Sequence, residues 1–202
     1  MIILKSKLEL NQIKKKNDLV KAAYDLFATD GINNTAISDI AKKAGVGKGT
    51  FYLYFKDKYD ILDQIILKKS TELLEEALFS AKSFEFKDSA DALIFVTDYI
   101  LEYLKRNKVL LRILHKNLSV SLYKRVLKDE KNYRELTQVL ELYAAKMHED
   151  YGYSYQESMR LLFIILEMVS SIAYSTIIEN EPESIDEIRP ILFLSIRKMI
   201  RP

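Results

Sequence analysis

The chain is predicted to fold as an all-α protein, and three observations predict it. Only 5 of its 202 residues are glycine and 3 are proline, whereas Leu, Ile, Lys and Glu abound, and that composition favours helices over strands. Apolar residues recur at helical rather than alternating spacing along most of the chain. The interruptions carry helix punctuation: Gly31, Gly45 and Gly152 at ends, Asp57 and Asp88 at starts, and two capping boxes, Ser154 to Glu157 and Ser184 to Glu187.

Taken in order, the first helix is expected from about Asn17 or Asp18 to Gly31, with Leu19, Ala22, Ala23, Leu26 and Phe27 on one face. Thr35 reads as the N-cap of a second helix over residues 36–44, with Ile37, Ile40, Ala41 and Ala44 as its apolar stripe. Gly45 breaks that helix, Val46 plugs the gap, and Gly47 opens a third helix of about six or seven residues. A helix so short is held by packing rather than by its own hydrogen bonds; Phe51 is the inward anchor and Phe55 closes the unit. Lys48, Thr50, Tyr52 and Tyr54 are left facing outward or sideways. A short helix presenting Lys, Thr and Tyr beside a partner helix is a helix-turn-helix, the geometry that enters a DNA major groove. Asp57 caps a fourth helix, about Lys58 to Ala81.

Beyond it, residues 83–87 read as a loop, and Asp88 or Ser89 caps a helix to about Lys105, with Leu93, Phe95, Val96, Tyr99, Ile100 and Tyr103 inward. Asn107 marks a break before a short helix over 108–116. A long helix covers about Ser119 to Tyr151, with an interruption near Asp129, and Gly152 ends it. The last two helices span about 155–179 and 185–200, with Pro190 kinking the final one or delaying its regular part. Domain organisation follows: a head over 1–58, a fourth helix linking at about 58–81, and a body over 82–202.

The segment Thr35-Ala36-Ile37-Ser38-Asp39-Ile40-Ala41, then Gly45-Val46-Gly47-Lys48-Gly49-Thr50-Phe51-Tyr52-Leu53-Tyr54-Phe55, then Lys58, resembles the DNA-binding head of the TetR family of bacterial regulators. The resemblance covers about a quarter of the chain closely; the rest agrees in length and all-helical character. It implies an N-terminal three-helix DNA-binding head and a C-terminal helical domain for ligand binding and dimerisation. It places Lys48, Gly49 and Thr50 against bases and phosphates, Tyr52 on the DNA backbone, Lys58 at phosphate, and Tyr54 either at phosphate or in support of the fold. Thr35 fits the family's cap and phosphate contact. Ala36 and Ser38 depart from the pattern, where a second hydroxyl residue and a frequent Arg stand; Ser38 remains a candidate DNA contact.

Charge supports a head of this kind. Residues 1–58 hold eleven lysines against six carboxylates, while 59–202 hold 20 basic against 23 acidic residues. A basic head on a mildly acidic body is an electrostatic footprint for phosphate. The first arginine is Arg106, so the head lacks a guanidinium for bidentate guanine readout. Lys5, Lys7 and Lys14 to Lys16 form either a basic arm or additional helical turns.

Residues 161–178 are apolar nearly all round, which signals burial on more than one side. Glu167 and the hydroxyls of Ser170, Ser171, Ser175 and Thr176 argue against a membrane span. The reading is a helix packed on its own body and on a second subunit. The resemblance implies a homodimer built on the last two helices, with Ser170, Ser171, Tyr174, Ile191 and Leu194 in the interface. Glu167 is either an ion-paired or rim carboxylate or a pocket acid; Tyr99, Tyr103, Tyr143, Met147 and Phe163 are the candidate pocket lining.

The chain has no cysteine, which excludes disulfides and thiolate metal sites. His115 and His148 fall on different helices without partners at metal spacing, and no catalytic constellation or phosphate loop is present. The sequence therefore reads as a non-enzyme without metal or cofactor, cytoplasmic, and associated with the nucleoid when bound to DNA. Its expected partners are double-stranded operator DNA, a small, largely apolar effector, and a second copy of itself. The alternatives are control by a protein partner, and a helical small-molecule carrier without DNA function.

Overall fold

The computed structural model describes residues 7–115 and 134–201. Among them lie nine α-helices and no strand: α1 (Lys7–Thr29), α2 (Ile37–Lys43), α3 (Lys48–Tyr52), α4 (Lys58–Ala81), α5 (Ser89–Arg106), α6 (Lys108–Leu114), α7 (Arg134–Tyr151), α8 (Tyr155–Tyr174) and α9 (Ile185–Ile200). The chain divides into two compact units, Met1–Ile66 and Leu67–Pro202, the division falling inside α4. The expected N-terminal half of the long helix before Tyr151, its break near Asp129, and Lys5 lie outside the described residues.

Within the first unit, α1 begins ten residues earlier than its apolar stripe requires. Residues 7–15 form helix with every residue exposed, so Lys7, Lys14 and Lys15 belong to helical turns rather than to an extended arm. The core begins at Leu19 and gathers Ala22, Ala23, Phe27, Ile40, Ala41, Phe51, Phe55, Ile61 and Ile65, all buried. Phe51 packs on Phe55 with ring centroids 5.5 Å apart. Burying a side chain of that size is worth about 1.5–3 kcal/mol, which is what holds the five-residue α3 in place.

Three local devices set the turns. Gly31 and Gly45 sit at φ +79° and +68°, the left-handed region in which a helix end is relieved at no steric cost. The Ala44 and Gly45 amides donate to the Ile40 and Lys42 carbonyls, and the Val46 amide to the Ala41 carbonyl. Asp57 caps α4, accepting from the amides of Tyr59 and Asp60 at 2.8 and 2.9 Å.

In the second unit, α5 packs on α9, and α8 packs on α7, α9, α6 and α5. Both expected capping boxes are present, at Ser154 with Glu157 and at Ser184 with Glu187. The helix α8 continues into a π-helical turn, Ser175–Glu179, closed by Asn180 in the left-handed conformation. The last helix runs unbroken through Pro190, which is exposed. The Pro190 ring therefore neither delays nor interrupts it.

The pairing of α5 with α9 is fastened by ion pairs in antiparallel order. Asp88 meets Arg201, Asp91 meets Arg197, Asp98 and Glu102 meet Arg189, and Lys105 meets Asp186 at 2.6 Å. The Arg189 hydrogen bond holds the Glu102 carboxyl below the ordinary carboxylate range, and Lys105 does the same for Asp186. Burial alone pushes Asp88 upward, but the Asp91 amide and the Arg201 guanidinium together bring it below that range.

Candidate functional site

The head presents its polar side chains from the two ends of α3. Gly47 caps the helix in an extended conformation, φ −73° and ψ 152°, leaving Lys48 and Gly49 exposed on the first turn. Thr50 is half-buried, Phe51 is fully buried, and Tyr52 is 52% exposed. The anchor on one side and the polar residues on the other follow from helical spacing alone. Tyr54 is half-buried just beyond the helix, and Ser38 is exposed on the first turn of α2.

Two of the expected contacts take a different form. Thr35 does not cap α2: the cap position is Ala36, without a side-chain hydrogen bond. The Thr35 hydroxyl instead donates to the Gly31 carbonyl at 2.8 Å, and the residue is 3% exposed. The hydroxyl thus satisfies a half-buried carbonyl of the α1–α2 turn. Lys58 Nζ donates to the Asn33 and Thr35 carbonyls at 2.9 and 3.3 Å. It ties the start of α4 to the α1–α2 turn and keeps one ammonium hydrogen for another acceptor.

The surface also carries groups that motif reading passed over. Lys42, Lys43 and Lys56 are exposed, Leu53 is 79% exposed, and Tyr59 is 55% exposed with Lys58 Nζ 5.8 Å from its ring centroid. The signal for the lysines was the charge excess of the head, which no single position localises.

The body holds a partly open cavity of about 600 Å³, within the range of small-molecule sites. The C-terminal half of α4 walls it with Ser70, Leu73, Leu74 and Leu78. From α5 come Leu93, Val96 and Ile100, and from α8 come Leu162, Leu166 and Val169. Lys87, Ser89, Lys146 and Asp150 supply a polar rim; the Ser89 amide donates to Asp150 at 2.7 Å.

Of the six candidate pocket residues, Tyr143 and Phe163 line the cavity. Burial pushes the Tyr143 hydroxyl well above its ordinary range, so it stays neutral. Tyr99 and Tyr103 are not among the described lining residues, because the cavity side of α5 is the neighbouring stripe of aliphatics. Met147 is fully buried but belongs to the packed core, where the Ser89 hydroxyl reaches its sulfur at 3.6 Å. Glu167 is exposed and outside the described lining; on the solvated side of α8 its charge costs little.

Of the candidate interface residues, Ser171 is exposed, Ile191 is 56% and Leu194 is 44% exposed. Ser170 lines the cavity, and Tyr174 is half-buried and stacked on His115 with centroids 3.9 Å apart. That stack, and the 3.1 Å approach of His148 Nδ1 to the Tyr153 carbonyl, give both histidines neighbours in the fold. Among the described residues no cluster of His, Asp and Glu is disposed to hold a metal. By length and composition Tyr155–Glu179 is apolar enough to cross a membrane, yet in this fold it is a packed helix of the body.

Comparison with known proteins places these features. Residues 19–65 match the family of bacterial regulatory proteins known as tetR. The chain is 31% identical over 111 residues to YhgD, an HTH-type transcriptional regulator of Bacillus subtilis, covering 54% of this chain and 56% of that protein. It is 41% identical over 61 residues to the fatty acid metabolism regulator protein of Bacillus subtilis, covering 30% of this chain and 31% of that one. The chain thus spans about half the length of the first relative and under a third of the second. A crystal structure of the transcriptional regulator FadR from Bacillus subtilis, in complex with stearoyl-CoA, shares the fold with a TM-score of 0.58 at 20% identity, over 89% of this chain and 96% of that one. Residues 19–65 thus carry the DNA-binding head of the tetR family of bacterial regulatory proteins.

Proposed function

We propose that the protein is a homodimeric transcriptional repressor, released from a palindromic operator by a small, largely apolar effector bound in the body. The observation that carries this reading is the double duty of α4. Its first turns bury Ile61, Leu62, Ile65 and Ile66, and its later turns wall the cavity with Leu73, Leu74 and Leu78. Residues of α4 thus belong to both units, and this reading assigns to that helix the coupling of effector to DNA. The coupling is reciprocal, so operator DNA weakens effector binding by the same factor.

Lys48, Gly49, Thr50 and Tyr52 are assigned to the major groove and its phosphates, with Ser38, Tyr54 and Lys58 beside them. Without arginine in the head, much of the affinity is electrostatic and falls steeply with salt. The exposed apolar positions Ile164, Ile191 and Leu194 support pairing of two copies through α8 and α9, which presents two heads to inverted half-sites. The hollow apolar body favours a small effector over a protein partner as the controlling signal. The fatty acid metabolism regulator and the stearoyl-CoA complex of FadR make a long-chain acyl-CoA the first effector to try. Such a protein works in the cytoplasm, on the nucleoid when DNA-bound.

Footprinting on the DNA flanking its own gene, at physiological salt, tests the reading. A protected inverted repeat that is lost when a long-chain acyl-CoA is added supports all of it. Protection insensitive to acyl-CoA keeps the regulator and removes that effector. No protection by folded protein, unchanged by Lys48→Ala with Tyr52→Ala, favours the carrier alternative.

A further inference from the structure

The surface of α3 carries one side chain opposite in character to its lysine, threonine and tyrosine. Leu53 follows the helix directly and keeps helical backbone angles, φ −72° and ψ −23°, with its amide donating to the Thr50 carbonyl at 3.3 Å. Residues three and four apart share a helix face, so Leu53 stands with Thr50 and Gly49, on the side away from the buried Phe51. At 79% it is the most exposed large apolar residue among those described.

A single exposed leucine is ordinary on a protein surface; this one differs in its place. It belongs to the short helix that the operator reading puts in the major groove. The surface beside it is open, since a Cβ built at Gly49 meets nothing within 4 Å. Lys48 and Lys56 are exposed to either side of it in sequence, and residues 1–58 hold eleven lysines against six carboxylates. The occupant of such a surface is a polyanion. The major groove of DNA offers hydrogen-bond donors and acceptors and one apolar group, the C5-methyl of thymine. An apolar side chain set among these cations therefore has a single counterpart there. The first arginine of the chain is Arg106, so the head has no bidentate contact with guanine and its discrimination has to come from other chemistry.

We propose that Leu53 reads sequence by packing on a thymine methyl, so that each operator half-site carries a thymine at one fixed position facing the end of α3. This rests on the operator reading. Phosphate contacts set where the head sits on the duplex, and Leu53 chooses among the sites so presented. The choice includes the orientation of the base pair, because the methyl marks only its thymine side.

The test uses the full-length protein and an operator found by footprinting. Deoxyuridine replaces deoxythymidine at one position at a time, in both half-sites, which removes a single methyl group from each. Wild type should bind at least one of these DNAs about tenfold more weakly than the thymine operator. Leu53→Ala should weaken binding to the thymine operator by a similar factor and shrink the uracil effect at that position below about twofold, as expected when both changes remove one contact. Leu53→Gln should behave in the same way, whereas Leu53→Met should keep the effect. Tyr52→Phe should weaken binding to both DNAs alike and keep the full uracil effect. Circular dichroism checks the fold of each variant. A protected operator without any methyl-dependent position overturns the proposal and leaves the operator reading standing. A uracil effect undiminished in Leu53→Ala and Leu53→Gln also overturns it, by assigning the methyl to another residue. No protected operator removes the operator reading and the proposal with it.

Discussion

The head and the body solve opposite packing problems. The head has a small core and fills it: Leu19, Ile40, Phe51, Ile61 and Ile66 are each fully buried, and its turns are closed by hydrogen bonds between near neighbours. Its ion pair of Lys43 with Asp25, at 3.4 Å, is largely exposed and adds little. The body spends its apolar residues around a hollow and is fastened at its edge by ion pairs spanning up to 113 positions of sequence. A surface that reads DNA needs side chains held still, whereas a site that admits a variable apolar molecule needs room. Under the proposed function the two units answer those two demands.

Substitution of core residues should expose this contrast most strongly. Phe51→Ala removes a side chain enclosed on all sides, and such truncations cost about 3–5 kcal/mol. Leu93→Ala, on the cavity wall, removes a side chain that already lacks neighbours on one side, so the loss should be nearer ~1 kcal/mol. Thermal unfolding followed by circular dichroism measures both. Equal losses would mean that the cavity is collapsed in solution and that the body is as tightly packed as the head.

The next effect is on the ion-pair ladder. Arg189→Ala leaves Asp98 and Glu102 without their cation and should cost about 1–2 kcal/mol, since these carboxylates keep partial access to water. Denaturant unfolding reads it directly, and Arg189→Lys should recover only part of the loss because a single ammonium cannot fork between two carboxylates. No loss in Arg189→Ala would make the ladder a surface ornament.

How much of this could be read from the chain differs between the units for a physical reason. In the head, each side chain's role depends on neighbours within a few positions. Phe51 faces inward and Tyr52 outward because they are successive residues of a helix that starts at Gly47. The error at Thr35 is also local: its hydroxyl had two acceptors or donors within reach, and the Gly31 carbonyl won. In the body, α5 and α8 are apolar on several sides, so periodicity does not fix their rotation. Aromatic character points to Tyr99 and Tyr103, whereas the neighbouring stripe of Leu93, Val96 and Ile100 lines the cavity. Glu167 is a carboxylate in an apolar run, and its helix phase puts it on the exposed side. The pairing of Asp88 with Arg201 or Asp91 with Arg197 follows from α5 and α9 lying antiparallel, which no local pattern encodes.

Acid should separate the two units in a smaller but informative way. Glu102, Asp186 and Asp88 are held below the ordinary carboxylate range in the folded body. Between that range and their lowered values the unfolded chain binds more protons than the folded one, so stability rises with pH there. The contribution is complete above about pH 5 and is lost as pH falls through the lowered values. Melting temperature measured from pH 6 to pH 3 should fall, and the fall should be shallower in Arg189→Ala. An identical slope in the variant would assign the acid sensitivity to other carboxylates.

The smallest expected stability change is the most telling for the head. Glycine in a helix costs about 1 kcal/mol relative to alanine, yet Gly49 sits inside the short α3. The fold gives no reason for it: a Cβ built there meets nothing within 4 Å, and its φ lies outside the left-handed region. Gly31 and Gly45 differ, since their positive φ requires glycine. Under the proposed function, what glycine supplies at 49 is room for close approach of the DNA backbone to the first turn of α3. Gly49→Ala should leave stability unchanged or raise it by about 0.5–1 kcal/mol, while weakening operator binding at least tenfold. If operator affinity in Gly49→Ala matches wild type, the first turn of α3 does not meet the DNA closely, and readout must shift to Thr50, Tyr52 and the exposed lysines around them.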